Sequence, residues 1–252
     1  MKKIIKNLLL GLITILAVIN YTEVFTQETD EERFPGSSKY VGDLNKRGNV
    51  KNATEAFDLL LGWRDEIKDS VVSTSFLKEK GKPDDSYAPW RANDNDKKTA
   101  WVEGVKGDGI GEKIYIKIQS TDVERFKPWT VNFNIINGCA ASEALFKSNT
   151  RVKKAKLTIY EARHTLGTDI DIRTSDLVIN THKIIDLPDT SIAQNIQMKI
   201  PAIKSVKKID DNNRYDFYLF MAELEILEVY KGTKYSDTCI SEFNVKDVIE
   251  GK

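Results

Sequence analysis

KTAWVEGVKGDGIGEKIYIKI, residues 98–118, sets a tryptophan, four glycines and a strictly alternating segment in immediate succession. A phosphate loop needs its glycines between a buried strand and the N-terminus of a helix. Here the glycines lead into the opposite pattern, with Ile114, Ile116 and Ile118 alternating against Tyr115 and Lys117. That period of two is the signature of a β-strand. Gly107-Asp108-Gly109-Ile110-Gly111 also lacks the spacing of either the P-loop or the dinucleotide fingerprint. The glycines therefore read as a loop that needs positive φ angles and close backbone approach, feeding a twisted strand from Glu112.

The same rhythm continues in both directions. VVSTSFL (71–77) reads as an entry strand, and WTVNFNII (129–136) puts Val131, Phe133 and Ile135 on one face before an Asn137-Gly138 turn. KAKLTIYEA (154–162), TDIDIRT, DLVINTHKI and NIQMKIPAI follow, then the long YDFYLFMAELEILEVY (215–230) and CISEFNV. AELEILEV has helical propensity, but its aromatic start and strand-rich neighbours favour a long strand. Only ATEAFDLLLGWRDEI, near the start, has helical spacing, with Ala56, Phe57, Leu60, Leu61 and Ile67 in phase and Thr54 as the N-cap. One short helix followed by about eight short strands predicts an all-β sandwich.

The N-terminus has the form of an export leader. MKKIIK is basic, LLLGLITILAVI is apolar, and YTEVFTQETDEE is polar. The apolar run is short for a membrane span. Residues 1–26 are read as a signal peptide cleaved near Thr26, and the chain meets a membrane only through this segment if it stays uncleaved. No cysteine follows the apolar run, so no lipid anchor is expected. The expected address is periplasmic or secreted. Residues 27–52 read as a polar linker or arm and 53–252 as the folded module. Acidic and basic residues number 38 each. That balance excludes nucleic acid as a partner, which needs a basic surface. The basic run Arg151–Lys156 reads as the solvated face of a strand. Cys139 and Cys239 are the two cysteines. In an exported chain they are a disulfide or two buried thiols, and sequence leaves both open.

The stretch DNDKKTAWVEG resembles the D-G-D-x-x-T-A-W turn of discoidin-like, coagulation factor type C, galactose-binding domains. Its continuation GVKGDGIGEKI is similar to the NADase-type glycan-binding, or NAD glycohydrolase translocation, branch of that family. IINGCAASEALFKSNTRVKKAKL, IIDLPDTSIAQNIQMKI and VYKGTKYSDTCISEFNV extend the resemblance in order, over about residues 68–247. Two departures stand out. The glycine of D-G-D is Asn95, which tolerates the left-handed conformation better than most residues, and the aromatic after Asn-Gly is Cys139. The resemblance implies a galactose-binding-like jelly-roll β-sandwich that does no catalysis and binds carbohydrate or delivers a partner. The alternative is a protein-interaction or translocation module of the cell envelope without a sugar site. No NADase activity is carried over.

The resemblance also implies a structural Ca²⁺, an ion that takes six to eight oxygens, held by Asp94, Asp96, Thr99 and Glu242. The competing reading is a turn held by its own Asx hydrogen bonds. For ligand contact the candidates are Trp90 and Tyr87, whose rings stack on the apolar face of a sugar, with Asn137, Asn149 and Arg151 as polar partners. Each has a structural reading beside it: Trp90 in the core, the asparagines in turns, and Arg151 paired with Glu112 or Glu103. Catalytic residues are not expected. His164 and His182 lack zinc spacing, and nothing in the sequence sets either cysteine beside them. Pairs such as Asp169 and Asp171 read as solvated strand faces.

Overall fold

A computed structural model describes residues 49–61, 71–118, 127–165, 177–201 and 216–250. The leader, most of the linker and the TDIDIRT segment lie outside these residues. The described elements are helix α1 (Ala53–Leu61), strands β1 (Val71–Ser73), β2 (Trp101–Val102), β3 (Lys113–Ile118) and β4 (Trp129–Asn137), helix α2 (Glu143–Ser148), and strands β5 (Thr150–Thr165), β6 (Val178–Asp186), β7 (Gln194–Ile200), β8 (Asp216–Tyr230) and β9 (Thr238–Glu250). A single 3₁₀ turn, Pro89–Ala92, precedes β2. The ambiguous stretch 215–230 is the long strand β8, as its neighbours require.

The strands run in two antiparallel groups. β1, β3, β8, β5 and β6 pair in that order, and β2 and β4 flank β9, with β7 beyond β4. The groups touch where β5 and β9 run parallel for two residues, Thr150 beside Thr238 and Arg151 beside Cys239. Ile114, Ile116, Leu157, Ile159, Leu224 and Ile226 of the first group share one buried core with Trp101, Val131, Phe133, Ile135 and Phe243 of the second. Each such side chain contributes about 1.5–3 kcal/mol by leaving water. The architecture is the expected jelly-roll sandwich.

The outer face of the first group is polar over much of its area, but it carries an apolar patch of Val72, Tyr115 and Met221 that needs a second cover. Tyr115, read from alternation as outward, is fully buried with Val72 and Met221 beneath Ala56, Phe57 and Leu60 of α1. The N-cap of α1 differs from expectation. Asn52, not Thr54, accepts the Glu55 N–H at 3.0 Å, and the Glu55 carboxylate accepts the Lys51 N–H at 2.8 Å. The first bond satisfies one orphan donor of the helix, and the second ties the residue before the cap back to the first turn. The fold also begins inside the expected linker, since Val50 is buried and its N–H donates to the Ser73 carbonyl. β1 ends at Ser73, short of the predicted Leu77, because the chain turns there to let Ser75 accept the Trp101 indole N–H at 2.8 Å.

The glycines act as the sequence suggests, by two mechanisms. Gly109 has φ +66°, and a Cβ there would stand 2.4 Å from Cγ of Glu103. Gly104 has an ordinary φ, but a Cβ would sit 2.3 Å from the Phe76 carbonyl oxygen. Among the described residues no helix is long and apolar enough to cross a membrane.

Candidate functional site

Three connections converge beside the β5–β9 contact: residues 74–100, residues 138–149 with α2, and residues 231–237 between β8 and β9. They enclose a pocket of about 570 Å³. Its apolar lining comes from Leu77, Val102 and Leu145, and its polar lining includes Tyr87, Asn149, Tyr235 and Asp237. Cys139 also lines it and is disulfide-bonded to the fully buried Cys239, across 100 residues of sequence. The bond the sequence left open is therefore formed, and it ties the 138–149 connection to the start of β9. Gly138 N–H donates to the Cys239 carbonyl, and Ser241 Oγ bridges the Gly138 carbonyl and the Ala140 N–H at 2.9 Å each.

Tyr87 is held by its hydroxyl, which donates to Glu79 at 2.9 Å and accepts from Lys82. Tyr235 is exposed, and Lys234 lies 4.8 Å over its ring. An exposed lysine on a ring is displaced at little cost.

A second cluster lies in the turn ahead of β2. Asn95 has φ 61°, the only positive value at a non-glycine among the described residues, so asparagine meets the left-handed demand as expected. Asp94 accepts the Asp96 N–H at 2.9 Å and the Thr99 hydroxyl at 2.8 Å, and Asp96 accepts the Lys98 N–H at 3.0 Å. Glu242 of β9 is buried. One of its oxygens accepts from Asn244 at 2.9 Å and the other, Oε1, has no partner. Burial, with Asp94 and then Asp96 adding repulsion, pushes the Glu242 carboxyl up to about 7. A buried, half-satisfied carboxylate facing two more is a poor arrangement without a cation. Among the described residues no three acidic, imidazole or thiol side chains stand close enough together to hold a metal ion. Even so, Asp94, Asp96, Thr99 and Glu242 offer an all-oxygen donor set, the chemistry that calcium takes.

The model of the NAD glycohydrolase translocation F5/8 type C domain family matches residues 63–246. The chain belongs to this family. No curated protein matches the chain. Solved structures similar to it include a Ruminococcus gnavus GH29 fucosidase in complex with fucose, at 10% identity and TM-score 0.33, covering 72% of this chain and 25% of that one. A non-crystalline cellulose-specific carbohydrate-binding module, CBM28, is 9% identical with TM-score 0.29, covering 59% and 74%. A CBM4 structure is 10% identical with TM-score 0.25, covering 61% and 89%. Likenesses this distant carry no argument about function. The chain spans about a quarter of the length of the fucosidase chain.

In this F5/8 type C domain the residues singled out from sequence separate into distinct places. Tyr87, Asn149 and Thr99 line the loop pocket. Trp90 does not; it packs on the sandwich core, and the Arg91 guanidinium covers its ring at 3.7 Å. Asn137 is fully buried, donating to the Val152 carbonyl at 2.6 Å and accepting the Val152 N–H at 3.0 Å. Its amide thus stands in for a strand partner between the end of β4 and the start of β5, and its full burial keeps it away from the loop pocket.

Arg151 is buried rather than solvated, and its partner is neither Glu112 nor Glu103. It grips Asp189 with Nε–Oδ1 at 2.8 Å and Nη2–Oδ2 at 3.0 Å, donates to the Asn149 carbonyl at 2.8 Å, and lies 5.0 Å over the Phe146 ring. Glu112 instead accepts from Thr74 at 2.7 Å and from Ser75. Glu103 accepts the N–H groups of Val105 and Thr238 at 2.8 and 3.2 Å. Tyr235 is the pocket ring that the sequence reading missed. Its only sequence cue is the turn-rich GTKYSD between two strands.

Proposed function

We propose that this domain is an exported, non-catalytic binding module that recognises carbohydrate through the loops at one end of its sandwich. The observation that carries this reading is the loop pocket, where the rings of Tyr87 and Tyr235 stand among Asn149, Asp237 and Lys98. Rings supply an apolar face for a pyranose, and the flanking amide, carboxylate and ammonium suit its hydroxyls. A pocket fixed by a disulfide loses little entropy on binding, and the disulfide favours an oxidising compartment such as the periplasm or the extracellular space. Asp94, Asp96, Thr99 and Glu242 would hold a structural calcium that neutralises the buried carboxylate and rigidifies the turn leading into β2. Affinity per site would be in the range from about millimolar to micromolar, about −4 to −8 kcal/mol.

A glycan array probed with residues 27–252, in calcium and again in EDTA, tests the reading. Binding to one sugar class that Tyr235→Ala abolishes and Trp90→Ala spares is the expected result. Absence of binding by folded protein in both conditions would overturn it. The second reading, a protein-interaction or translocation module of the envelope, rests on the family's translocation description.

A further inference from the structure

The outward face of β7, β4 and β9 carries a row of amides in register. Asn134 of β4 stands beside Asn195 of β7 on one side and Asn244 of β9 on the other. The alternation of β4 requires this placement, because Val131, Phe133 and Ile135 point into the core. With Asn93 and Asn95 from the calcium-candidate turn, and with Ala193, Val245 and Lys246, these three line a groove of about 550 Å³. The next row along the strands is closed on itself, since Asn132 donates to Asp247 and accepts from Gln197 at 3.3 Å. The first row is open. The side chains of Asn93, Asn95, Asn134 and Asn195 make no hydrogen bond with the described protein.

We propose that this groove is a second binding site, distinct from the loop pocket, for an unbranched neutral polysaccharide lying across the three strands. The inference rests on the carbohydrate reading of the domain. An amide is donor and acceptor at once, which matches a hydroxyl. Anions call for clustered guanidinium or ammonium groups, whereas Lys246 is the one cation lining the groove and Asp247 follows it directly. A protein partner needs aromatic or arginine anchors in a desolvated centre, and the apolar lining is limited to Ala193 and Val245. Neighbouring strands lie about 4.8 Å apart, close to the length of one pyranose ring, so successive amides meet successive sugars. Asn244 also bonds Glu242, and Asn95 belongs to the turn that holds Asp94 and Asp96. Calcium at those carboxylates would fix two of the groove's five amides.

The test is side-chain amide NMR on ¹⁵N-labelled protein, titrated separately with cellohexaose, xylohexaose and mannohexaose and with the matching monosaccharides. The expected result is that one hexasaccharide shifts the Asn134 and Asn195 amide resonances and its monosaccharide does not. Asn134→Ala combined with Asn195→Ala should weaken that hexasaccharide about tenfold with an unchanged backbone spectrum. If residues around Tyr235 respond and the groove amides stay silent, the groove inference falls and the loop-pocket reading stands. Silence of the groove amides with all three hexasaccharides overturns the groove inference, while the loop-pocket reading is decided by the glycan array. A monosaccharide shifting the groove amides as strongly as its hexasaccharide would overturn the extended-chain geometry.

Discussion

Arg151 and Asp189 form a two-pronged ion pair, 2.8 and 3.0 Å, that pins the β6–β7 connection to the start of β5. Arg151 is buried, while Asp189 is about one third exposed at its side chain. Truncating the arginine leaves a carboxylate and the Asn149 carbonyl without their donor, and strips the cover from Phe146. Arg151→Ala should cost about 2–3 kcal/mol in urea unfolding, and Asp189→Asn less. An Arg151→Ala protein of unchanged stability that had lost sugar binding would reassign this residue to ligand contact.

Gly109 and Gly107 separate backbone strain from crowding. Both have positive φ, but a Cβ at Gly107 meets open space and one at Gly109 meets Glu103. Gly107→Ala should cost about 1 kcal/mol, the strain alone. Gly109→Ala should cost about twice that, because Glu103 must abandon its two N–H donors. Calorimetric melting of the two variants checks this, and equal losses would show that Glu103 moves aside freely.

Glu103 has an acid–base consequence. Burial pushes its carboxyl from 4.5 up to about 7, against the N–H groups of Val105 and Thr238 that hold it down, and Asp237 and Glu112 push it further up. Between those two values the folded state keeps a proton that the unfolded state has released. Stability therefore falls as pH rises from about 4.5 to about 7, by something on the order of 1–3 kcal/mol. Glu242 adds to the same trend when calcium is withheld. Urea midpoints at pH 5 and pH 7.5 in EDTA should show the decline, and Glu103→Gln should flatten part of it. A midpoint that rises with pH would refute the assignment.

Calcium should reverse the sign of what Glu242 does. Without metal its charge is buried beside Asp94 and Asp96, so Glu242→Gln in EDTA should be neutral or mildly stabilising. With calcium at about a hundred times its dissociation constant, the natural chain should gain about 2.7 kcal/mol, a gain that Glu242→Gln and Asp94→Asn both lose. Identical melting of the natural chain in calcium and in EDTA would leave the turn as an Asx-bonded turn and no more.

Local chemistry was legible in the chain itself. Alternation in KIYIKI and WTVNFNII set strands and their inward faces, because side chains on a strand alternate by necessity. The glycine loop followed from backbone sterics, and the left-handed Asn95 from its place at the glycine of the family's D-G-D turn. The ordered motifs from DNDKKTAW to CISEF were enough to indicate the family and the jelly roll. What the sequence could not contain was partnership at a distance. Every acidic residue was open as the partner of Arg151, and only the path of the β6–β7 connection makes it Asp189. Tyr115 looked outward until α1 was laid over it. Asn137 looked available until Val152 took both ends of its amide. Cys139 met Cys239 only because β9 passes the end of β4, and Tyr235 entered the pocket because the β8–β9 turn closes beside α2. Asn134, Asn195 and Asn244 became one row through strand register, and a shift of a single residue would have sent one of them to the core face. Local conformation follows from each residue and its neighbours, whereas a binding surface depends on which strands pair and in what register.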